Sequence, residues 1–586
     1  MRRVGSRFVW TAASWLAVWW NSLASVGVAD SPADPPTDAA QRVAAEIRHE
    51  VLLPPRGPEG RPLPLASHWN MGLVSGTFAP EHQIALIQQG HHVLPWLAWP
   101  DGDPRGERFE AYYGRLLRYF AALHLPISFR GTQWNAMLVG KAYREGPESC
   151  WAGVIAPDGR RVARVSPFGP TAPWKDPAAR YVDTPAMKRA QELYPDPPRV
   201  LWVSNNEPPE LRWAKHSPLE EQSKRYVDRY GRGRTDEFKR KVVGQGWIER
   251  YRVMFDAMRG ALTNDRWRRS VRFVGYDAFG PAHFGRWGGW KVYSLVCDKW
   301  TAPDWYYWDG GSPSYYTHNW NDNRDHWVFS TQVQSMNWVF MLDEAWSVNP
   351  DFWFEISVWD GNEARAWMEG LGVERPERLA EASSRVLTME RRRQLSPRLL
   401  KKSKALQVMA EGQTYPPERT AGWVQFGMWL LRPRVVREFR SHTTPLRAVL
   451  PYWMEVVKAV DRVYAQPVLR EFWRQGRLVR NDAHRHPYQT DIPEKYRDIR
   501  RWYLLDTSLD PPRPWGLHTH LPVFSLALAL GDPGARRWLL YAHSPLEDRH
   551  GVRIAIPGFG EVCVDTPRVG AFYVIEEGNG RARRID

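Results

Sequence analysis

The stretch that decides the fold is residues 199–209, Arg-Val-Leu-Trp-Val-Ser-Asn-Asn-Glu-Pro-Pro. A short apolar run rich in β-branched residues ends in amides and one carboxylate, and two prolines then stop the chain. This pattern predicts a buried strand that carries Asn206 and Glu207 to its carboxyl end.

A second stretch, residues 350–361, repeats the arrangement as Pro-Asp-Phe-Trp-Phe-Glu-Ile-Ser-Val-Trp-Asp-Gly. Its Glu355 stands in an aromatic run, where a carboxylate costs free energy unless it is paired or used. Glu207 and Glu355 are 148 positions apart (355 − 207), and both are expected at strand ends. Two such glutamates suggest the acid and the nucleophile of a glycoside hydrolase.

Around these two stretches the chain alternates short apolar strands with amphipathic helices. Eight strands are predicted, near residues 65–71, 92–99, 126–130, 199–207, 272–276, 305–308, 350–359 and 422–429. Helices are predicted at 107–123, 185–193, 219–262, 325–346 and 376–410. Because the polar and aromatic residues follow the strands, the pattern predicts an α/β fold, a (β/α)8 TIM barrel over residues 63–440.

Two regions depart from this alternation. An insertion at residues 151–170 has Asp158-Gly159 between apolar runs, which predicts a β-hairpin. The barrel is expected to close near Phe439, and a connecting helix at 445–475 fills most of residues 441–480. Short alternating runs separated by turn residues then predict a C-terminal antiparallel β-sandwich domain at 481–586.

The amino terminus has the pattern of a secretory signal peptide at residues 1–29. Three arginines precede an apolar run from Phe8 to Trp20, and small residues lead to a cleavage site after Ala29. This run is shorter than the roughly 20 residues that span a bilayer, and no later stretch qualifies as a span. We therefore expect an exported protein, periplasmic or extracellular, with a leader segment at 30–62.

Net charge, tryptophan content and cysteine count limit the kinds of partner that the protein is expected to bind. The net charge is +15, or +12 (15 − 3) without the three signal arginines, but the chain has no nucleic-acid motif. A basic surface suits an anionic polysaccharide or is a general property of the surface. The 33 tryptophans include some at strand ends, where sugar faces stack on indoles. Three distant cysteines, Cys150, Cys297 and Cys563, exclude a disulfide framework and are expected to be small buried residues.

The two glutamate stretches together resemble the clan of retaining glycoside hydrolases built on a (β/α)8 barrel. The signature of that clan is Asn-Glu at the end of strand four and a lone Glu at the end of strand seven. Here Asn206-Glu207, followed by Pro208, matches the first part, and Glu355 matches the second. The resemblance covers residues 63 to about 440 and assigns no particular family.

The resemblance implies a role for each matched residue. Glu207 would be the general acid/base, Glu355 the nucleophile, and Asn206 the partner of the sugar 2-hydroxyl. Tyr316, after strand six, would contact the nucleophile. The other residues predicted to contact substrate are His318, Arg130, Trp99, Trp134, Asn135 and Trp359, with Trp429 as a stacking platform at the end of strand eight. Neither a metal nor a cofactor is required by this mechanism.

Less specific interpretations stay open for each carboxylate. Glu207 could be a helix cap, and Glu355 could form a structural ion pair with a core arginine such as Arg130. Asp360 and Glu363 are rival nucleophiles just after strand seven. The sequence thus predicts a retaining β-glycoside hydrolase acting on a polysaccharide or oligosaccharide, and the basic net charge favours an acidic or sulfated one. The alternative is a non-catalytic carbohydrate-binding protein on a degenerate barrel.

Overall fold

The computed structural model describes most of the strands and many helices of the chain. The described residues are 63–69, 79–97, 105–131, 153–155, 161–165, 168–205, 224–276, 308–312, 314–316, 342, 346, 349–359, 417–439, 446–479, 523–544 and 548–585. All of them belong to one compact unit that spans residues 35–586. The signal peptide, the leader and the predicted helices at 325–346 and 376–410 lie largely or wholly outside the described residues.

Eight parallel strands form the main sheet, as the sequence predicts. Strand six consists of two short segments, which both pair with strand seven. In chain order the barrel strands are Leu65–Trp69, Trp96–Leu97, Ile127–Arg130, Val200–Asn205, Val271–Tyr276, Gly310–Ser312 with Ser314–Tyr316, Trp353–Trp359 and Val435–Phe439.

The strand pairing closes this sheet into a barrel. Strand eight pairs with strand one from Leu65 to Trp69, and strand one meets the chain before strand two through a bridge between Ala66 and Val93. Followed once around the barrel from Trp359, the register returns to strand seven at position 351, a shift of eight residues (359 − 351). Eight strands with a shear of eight define the (β/α)8 barrel.

Amphipathic helices cover the outside of the barrel. The helix Glu107–Leu123 buries Phe109, Tyr113, Leu116 and Phe120 at the three- and four-residue spacing of one helix face. The described helices are Pro80–Gln88, Glu107–Leu123, Ala172–Val182, Pro185–Leu193, Lys224–Tyr230, Asp236–Ala261, Asp265–Ser270, Pro417–Leu431, Leu446–Ala465 and Pro467–Gln475. Among the described residues, no helix is both long and apolar enough to span a bilayer.

The predicted position of strand eight is wrong. Residues Pro417–Leu431 form a helix, and the strand is Val435–Phe439. This helix is buried on all sides from position 421 onward, so its sequence lacks the polar stripe that distinguishes an amphipathic helix from a buried strand. The predicted closure of the barrel near Phe439 nevertheless agrees with the end of the observed strand.

Strand six is also shifted from its predicted position at 305–308 to 310–316. Its first segment is Gly310, Gly311 and Ser312, which lacks the bulky residues that mark strands. Glycine is required at position 310, because a Cβ atom there would collide with the carbonyl of Trp353 on strand seven. The close approach of the neighbouring strand therefore hides this strand from sequence analysis.

One partly buried carboxylate connects the long helix Leu446–Ala465 to the barrel. Asp461 accepts hydrogen bonds from the ring of His91 at 2.7 Å and from the backbone N–H and ring of His92 at 3.0 and 2.9 Å. Burial raises the pKa of Asp461, but the hydrogen bonds from the two histidines outweigh it, so that the pKa lies below its ordinary value.

The C-terminal residues form the predicted antiparallel β-domain. The five-stranded sheet contains Arg477–Leu478, Phe524–Leu530, Arg537–His543, Ala571–Glu576 and Ala582–Arg584, and a hairpin of Arg549–Ile556 and Gly560–Thr566 packs on one face. The other face packs on the helix Pro417–Leu431, where the Tyr541 hydroxyl donates to the carbonyl of Gly422 at 2.6 Å. Cys563 is exposed on the hairpin, so the expectation of a buried cysteine is wrong there.

Candidate functional site

Glu355 lies inside the barrel, at the third position of strand seven, which runs from Trp353 to Trp359. The prediction that it stands at the strand's carboxyl end is therefore wrong. Its side chain is completely buried, with 0 % exposure. A carboxylate in such a position is tolerated when its oxygens are hydrogen-bonded and its charge is paired.

Arg437 of strand eight is the charged partner of Glu355. The Arg437 Nε–H donates to Oε2 of Glu355, and Nη2–H donates to Oε1 at 2.9 Å. The indole Nε1–H of Trp353 donates to the same Oε1 at 2.9 Å. Both carboxylate oxygens are thus bonded, in the bidentate geometry that gives strong and directional ion pairs.

The rest of the Arg437 guanidinium is satisfied by residues from other barrel strands. Its Nη1 donates to the hydroxyls of Ser67 at 2.8 Å and Ser128 at 3.3 Å, and these hydroxyls donate onward to backbone carbonyls. The guanidinium also lies over the ring of Trp96, 5.0 Å from its centroid. The network therefore ties strands one, two, three, seven and eight together.

This network corresponds to the structural ion pair that the sequence leaves open for Glu355, but with Arg437 rather than Arg130 as the partner. Arg130 is the last residue of strand three and is partly buried. Sequence analysis missed Arg437 because it placed strand eight at residues 422–429. In the observed strand, Val435 and Arg437 fall on the inner face, and this alternation is the signal that identifies the partner.

The inward side chains fall into layers, which define the depth of Glu355. The strands are tilted relative to the barrel axis. In an eight-stranded barrel with a shear of eight, the residue at the same height on the next strand is therefore one position away from the residue in hydrogen-bond register. The inward residues level with Glu355 are Ser67, Ser128 and Val274, one from each of the other odd-numbered strands. This assignment agrees with the contacts of Arg437 to both serines.

The layer that contains Glu355 lies well below the carboxyl ends of the strands. On strand four the residue at this level is Trp202, and the strand continues for three residues to Asn205. Strand seven continues for four residues, to Trp359. At about 3.3 Å per residue, the two strand ends lie roughly 10 and 13 Å further along the chain.

Two hydroxyls of the barrel interior lie between this layer and the carboxyl end. Ser312 and Ser357 are completely buried, and within the described part of the chain their Oγ atoms have no hydrogen-bond partner. Buried polar atoms in folded proteins normally bond to protein, water or ligand. The interior above Glu355 therefore offers two hydroxyls to a polar molecule.

The other predicted site residues divide into two groups. Trp359 ends strand seven, and its backbone is in register with Tyr316 at the end of strand six. These two positions lie at the carboxyl end, as expected for substrate contacts. Glu207, Asn206, His318, Trp99, Trp134 and Asn135 lie outside the described residues, and so do the rival nucleophiles Asp360 and Glu363.

The prediction that Trp429 is a stacking platform is wrong. This residue lies on the helix Pro417–Leu431, has 0 % exposure, and packs edge-on against Trp473 and Phe572. Its indole fills the space between this helix, the helix Pro467–Gln475 and the C-terminal sheet. Its function is therefore packing, because both faces of its ring are covered by protein.

The described residues contain no cluster of three or more His, Cys, Asp or Glu side chains that could hold a metal ion. Comparisons with known proteins name no family: no family model matches the chain, and no curated protein matches it.

Among solved structures, the chain resembles a GH5-4 broad-specificity endoglucanase from an uncultured bacterium, with a TM-score of 0.32 and 10 % identity over 73 % of this chain and 96 % of that one. It also resembles a variant of the GH36 α-galactosidase AgaA from Geobacillus stearothermophilus in complex with raffinose. That match has a TM-score of 0.34 and 10 % identity over 93 % of this chain and 56 % of that one. Both likenesses are distant, and the barrel assignment depends on the strand register.

Proposed function

We propose that this protein is an exported retaining β-glycoside hydrolase that acts on a polysaccharide or oligosaccharide. In this proposal Glu207 is the general acid/base, and a carboxylate of strand seven or the residues just after it is the nucleophile. The net charge of +15 favours an acidic or sulfated glycan.

The observation that carries the proposal is the register of strand four. It makes Val200–Asn205 a barrel strand whose carboxyl end directly precedes Asn206 and Glu207. In (β/α)8 enzymes the reacting groups follow the carboxyl ends of the strands. The hydroxyls of Ser312 and Ser357, which have no hydrogen-bond partner among the described residues, add polar atoms to the interior between Glu355 and this end of the barrel.

Two carboxylates compete for the role of nucleophile. Glu355 is the sequence-based choice, and its ion pair with Arg437 is compatible with the ionised form that a nucleophile needs. Asp360 directly follows Trp359, the last residue of strand seven. The burial of Glu355, the engagement of both its oxygens and its depth favour Asp360, since a retaining pair must be about 5–5.5 Å apart.

Chemical rescue tests the acid/base assignment. The Glu207→Ala variant is assayed on aryl β-glycosides and on glycans, with and without sodium azide. We expect a loss of about 10²–10⁴-fold on substrates with poor leaving groups. On aryl glycosides with good leaving groups, which need no acid to form the glycosyl-enzyme, azide should restore turnover and give the β-glycosyl azide, because this small anion attacks the glycosyl-enzyme without needing a general base.

A matched control and two adverse outcomes complete this test. Glu210→Ala changes a second carboxylate three positions further along and is expected to keep wild-type activity. Loss of activity in Glu210→Ala alone, or an α-glycosyl azide product, would contradict the roles assigned here. A wild-type protein that binds glycans without cleaving any of them would support the non-catalytic alternative.

A further inference from the structure

Three arginines converge at the amino-terminal end of the barrel, opposite the end at which the reacting groups are proposed. Arg199 directly precedes strand four, Arg272 is the second residue of strand five, and Arg434 directly precedes strand eight. The guanidinium of Arg434 lies 4.8 Å and that of Arg199 5.8 Å from the ring centroid of Trp353, the first residue of strand seven. Arg434 and Arg199 therefore share one aromatic surface.

Within the part of the chain that the structure describes, the positive charge of Arg434 is buried without a counter-ion. Its side chain is 3 % exposed, and its Nε and Nη2 atoms have no hydrogen-bond partner within the described residues. The Nε atom of Arg199 is also buried without a partner. A buried guanidinium with free N–H groups costs free energy unless something accepts its hydrogen bonds.

Nearby acidic residues do not neutralise this cluster. Asp309 is engaged elsewhere, since it pairs with Arg259 at 3.0 Å and accepts a hydrogen bond from the backbone of Phe273 at 2.9 Å. Asp351 is exposed; its charge attracts Arg434 and Arg199, but among the described residues it forms no ion pair with either of them. The cluster thus keeps an excess of positive charge.

The pKa values of the arginines reflect the same imbalance. Burial lowers the pKa of Arg434 to about 9, and repulsion from Arg199 and Arg272 adds to the effect. Burial also lowers the pKa of Arg199 to about 10, with repulsion from Arg272. Burial and neighbouring like charges are the two causes that an anion would offset.

We propose that this cluster, defined by Arg434, Arg199 and Arg272, is a binding site for a small inorganic oxyanion such as sulfate or phosphate. The planar fork of a guanidinium matches two oxygens of such an anion, and the free N–H groups of Arg434 and Arg199 supply the donors. The partly exposed side chains of Arg199 and Arg272 give solvent access to the site. A bound anion links the amino-terminal ends of strands four, five and eight through these arginines, and its binding therefore stabilises the barrel.

Thermal unfolding of the full chain tests the proposal. The melting temperature is measured while sodium sulfate or sodium phosphate is titrated from micromolar to low millimolar concentration, at constant ionic strength kept with sodium gluconate. We expect a rise that saturates, as binding to the folded state alone requires. A wild-type melting temperature that is flat, or that rises without saturation, would overturn the site.

Variants assign the response to the cluster. Arg434→Met keeps much of the side-chain volume but removes the hydrogen-bond donors, and it should lower the affinity for the anion at least tenfold. Arg199→Met should also lower the affinity for the anion, and it serves as the second variant if Arg434→Met does not fold. Arg553→Met removes an exposed arginine of the C-terminal hairpin and should titrate like the wild type. Equal titrations in all four proteins would contradict the proposal.

A final comparison separates a free anion from the sulfate group of a glycan. The same titration is made with a sulfated disaccharide. A weaker response than to inorganic sulfate is expected, because the buried donors of Arg434 admit only a small ion. A markedly tighter response to the disaccharide would contradict the assignment to a free inorganic anion.

Discussion

Two buried arginines three positions apart, Arg437 and Arg434, show opposite treatments of the same charge. Arg437 is inside the barrel, where Glu355, Ser67 and Ser128 accept its hydrogen bonds. Arg434, at the amino-terminal end, lies on Trp353 with two nitrogen atoms unbonded within the described residues. Trp353 belongs to both regions, because its ring supports Arg434 while its N–H bonds to Glu355.

The difference separates a structural charge from a binding charge. When one partner is removed from a buried ion pair whose hydrogen bonds are complete, the free energy of unfolding of the protein falls strongly. When a buried charge without a protein partner is removed, the free energy of unfolding changes little, unless a ligand was bound to that charge. The four predictions below test this contrast by changing one charged or bonding group at a time.

The largest effect is expected for Glu355→Gln. This change leaves the guanidinium of Arg437 buried without its counter-charge, so the free energy of unfolding should fall by about 3–5 kcal/mol. The measurement is urea-induced unfolding followed by tryptophan fluorescence. Glu561→Gln, in the exposed pair with Arg553, is the matched control and should cost less than about 1 kcal/mol.

A double variant sharpens this first prediction. Glu355→Leu combined with Arg437→Met removes both charges, and it should recover most of the stability that either single variant loses. Equal costs for the single and double variants would mean that the two side chains are not coupled, contrary to the structure.

Asp461 extends the contrast to a partly buried carboxylate. Asp461→Asn should lower the free energy of unfolding by about 1–3 kcal/mol at pH 7, because His91 and His92 lose charged hydrogen-bond acceptors. The lowered pKa of Asp461 means that this stabilisation is present above the ordinary value of 3.8 and is lost as the pH falls below it. The difference in the free energy of unfolding between the two proteins should therefore be smaller at pH 3 than at pH 7. A gap that widens in acid would contradict the prediction.

Trp353→Phe removes one hydrogen bond from the ion pair and keeps an aromatic ring for Arg434. The loss should be about 1.5–3 kcal/mol at most, since the bond from the indole N–H is made to a charged acceptor. Unfolding in urea again gives the value. A loss as large as that of Glu355→Gln would mean that the packing of the whole indole, rather than the ion pair, stabilises this region.

The smallest effect is expected for Arg434→Met in buffer without sulfate or phosphate. Replacing an unpaired buried charge by an apolar side chain should change the free energy of unfolding by less than about 1 kcal/mol or increase it. A loss comparable to that of Glu355→Gln would show that Arg434 has a protein partner and would remove the contrast between the two arginines.

Most of the barrel could be predicted from the sequence, because its strands alternate with amphipathic helices. The segments Glu107–Leu123, Pro185–Leu193 and Val271–Tyr276 were all within one residue of their predicted bounds. The misplaced strands share one cause. Strand six contains glycines because the neighbouring strand approaches closely, and the helix before strand eight is apolar on all sides because it is buried. Both features remove the periodic pattern of apolar and polar residues on which prediction depends.

The candidate site was predictable in part. A charge within an aromatic strand identified Glu355 as a residue in need of a partner, but its depth follows from the register of the whole barrel, which no local pattern contains. Arg437 was missed because its strand was misplaced. Arg434 was missed because its lack of a partner is a property of the folded chain. The role of Glu207 stays a prediction.

The most direct test of the account is to locate the covalent glycosyl-enzyme adduct. The wild type, Asp360→Asn and Glu355→Gln are treated with a panel of 2-deoxy-2-fluoro glycosides, and the adduct is mapped by mass spectrometry of peptides. The account predicts an adduct on Asp360 in the wild type, none in Asp360→Asn, and a less stable Glu355→Gln protein that is still labelled. An adduct on Glu355, absent from Glu355→Gln and retained by Asp360→Asn, would contradict the choice of Asp360 as the nucleophile and of a purely structural role for Glu355.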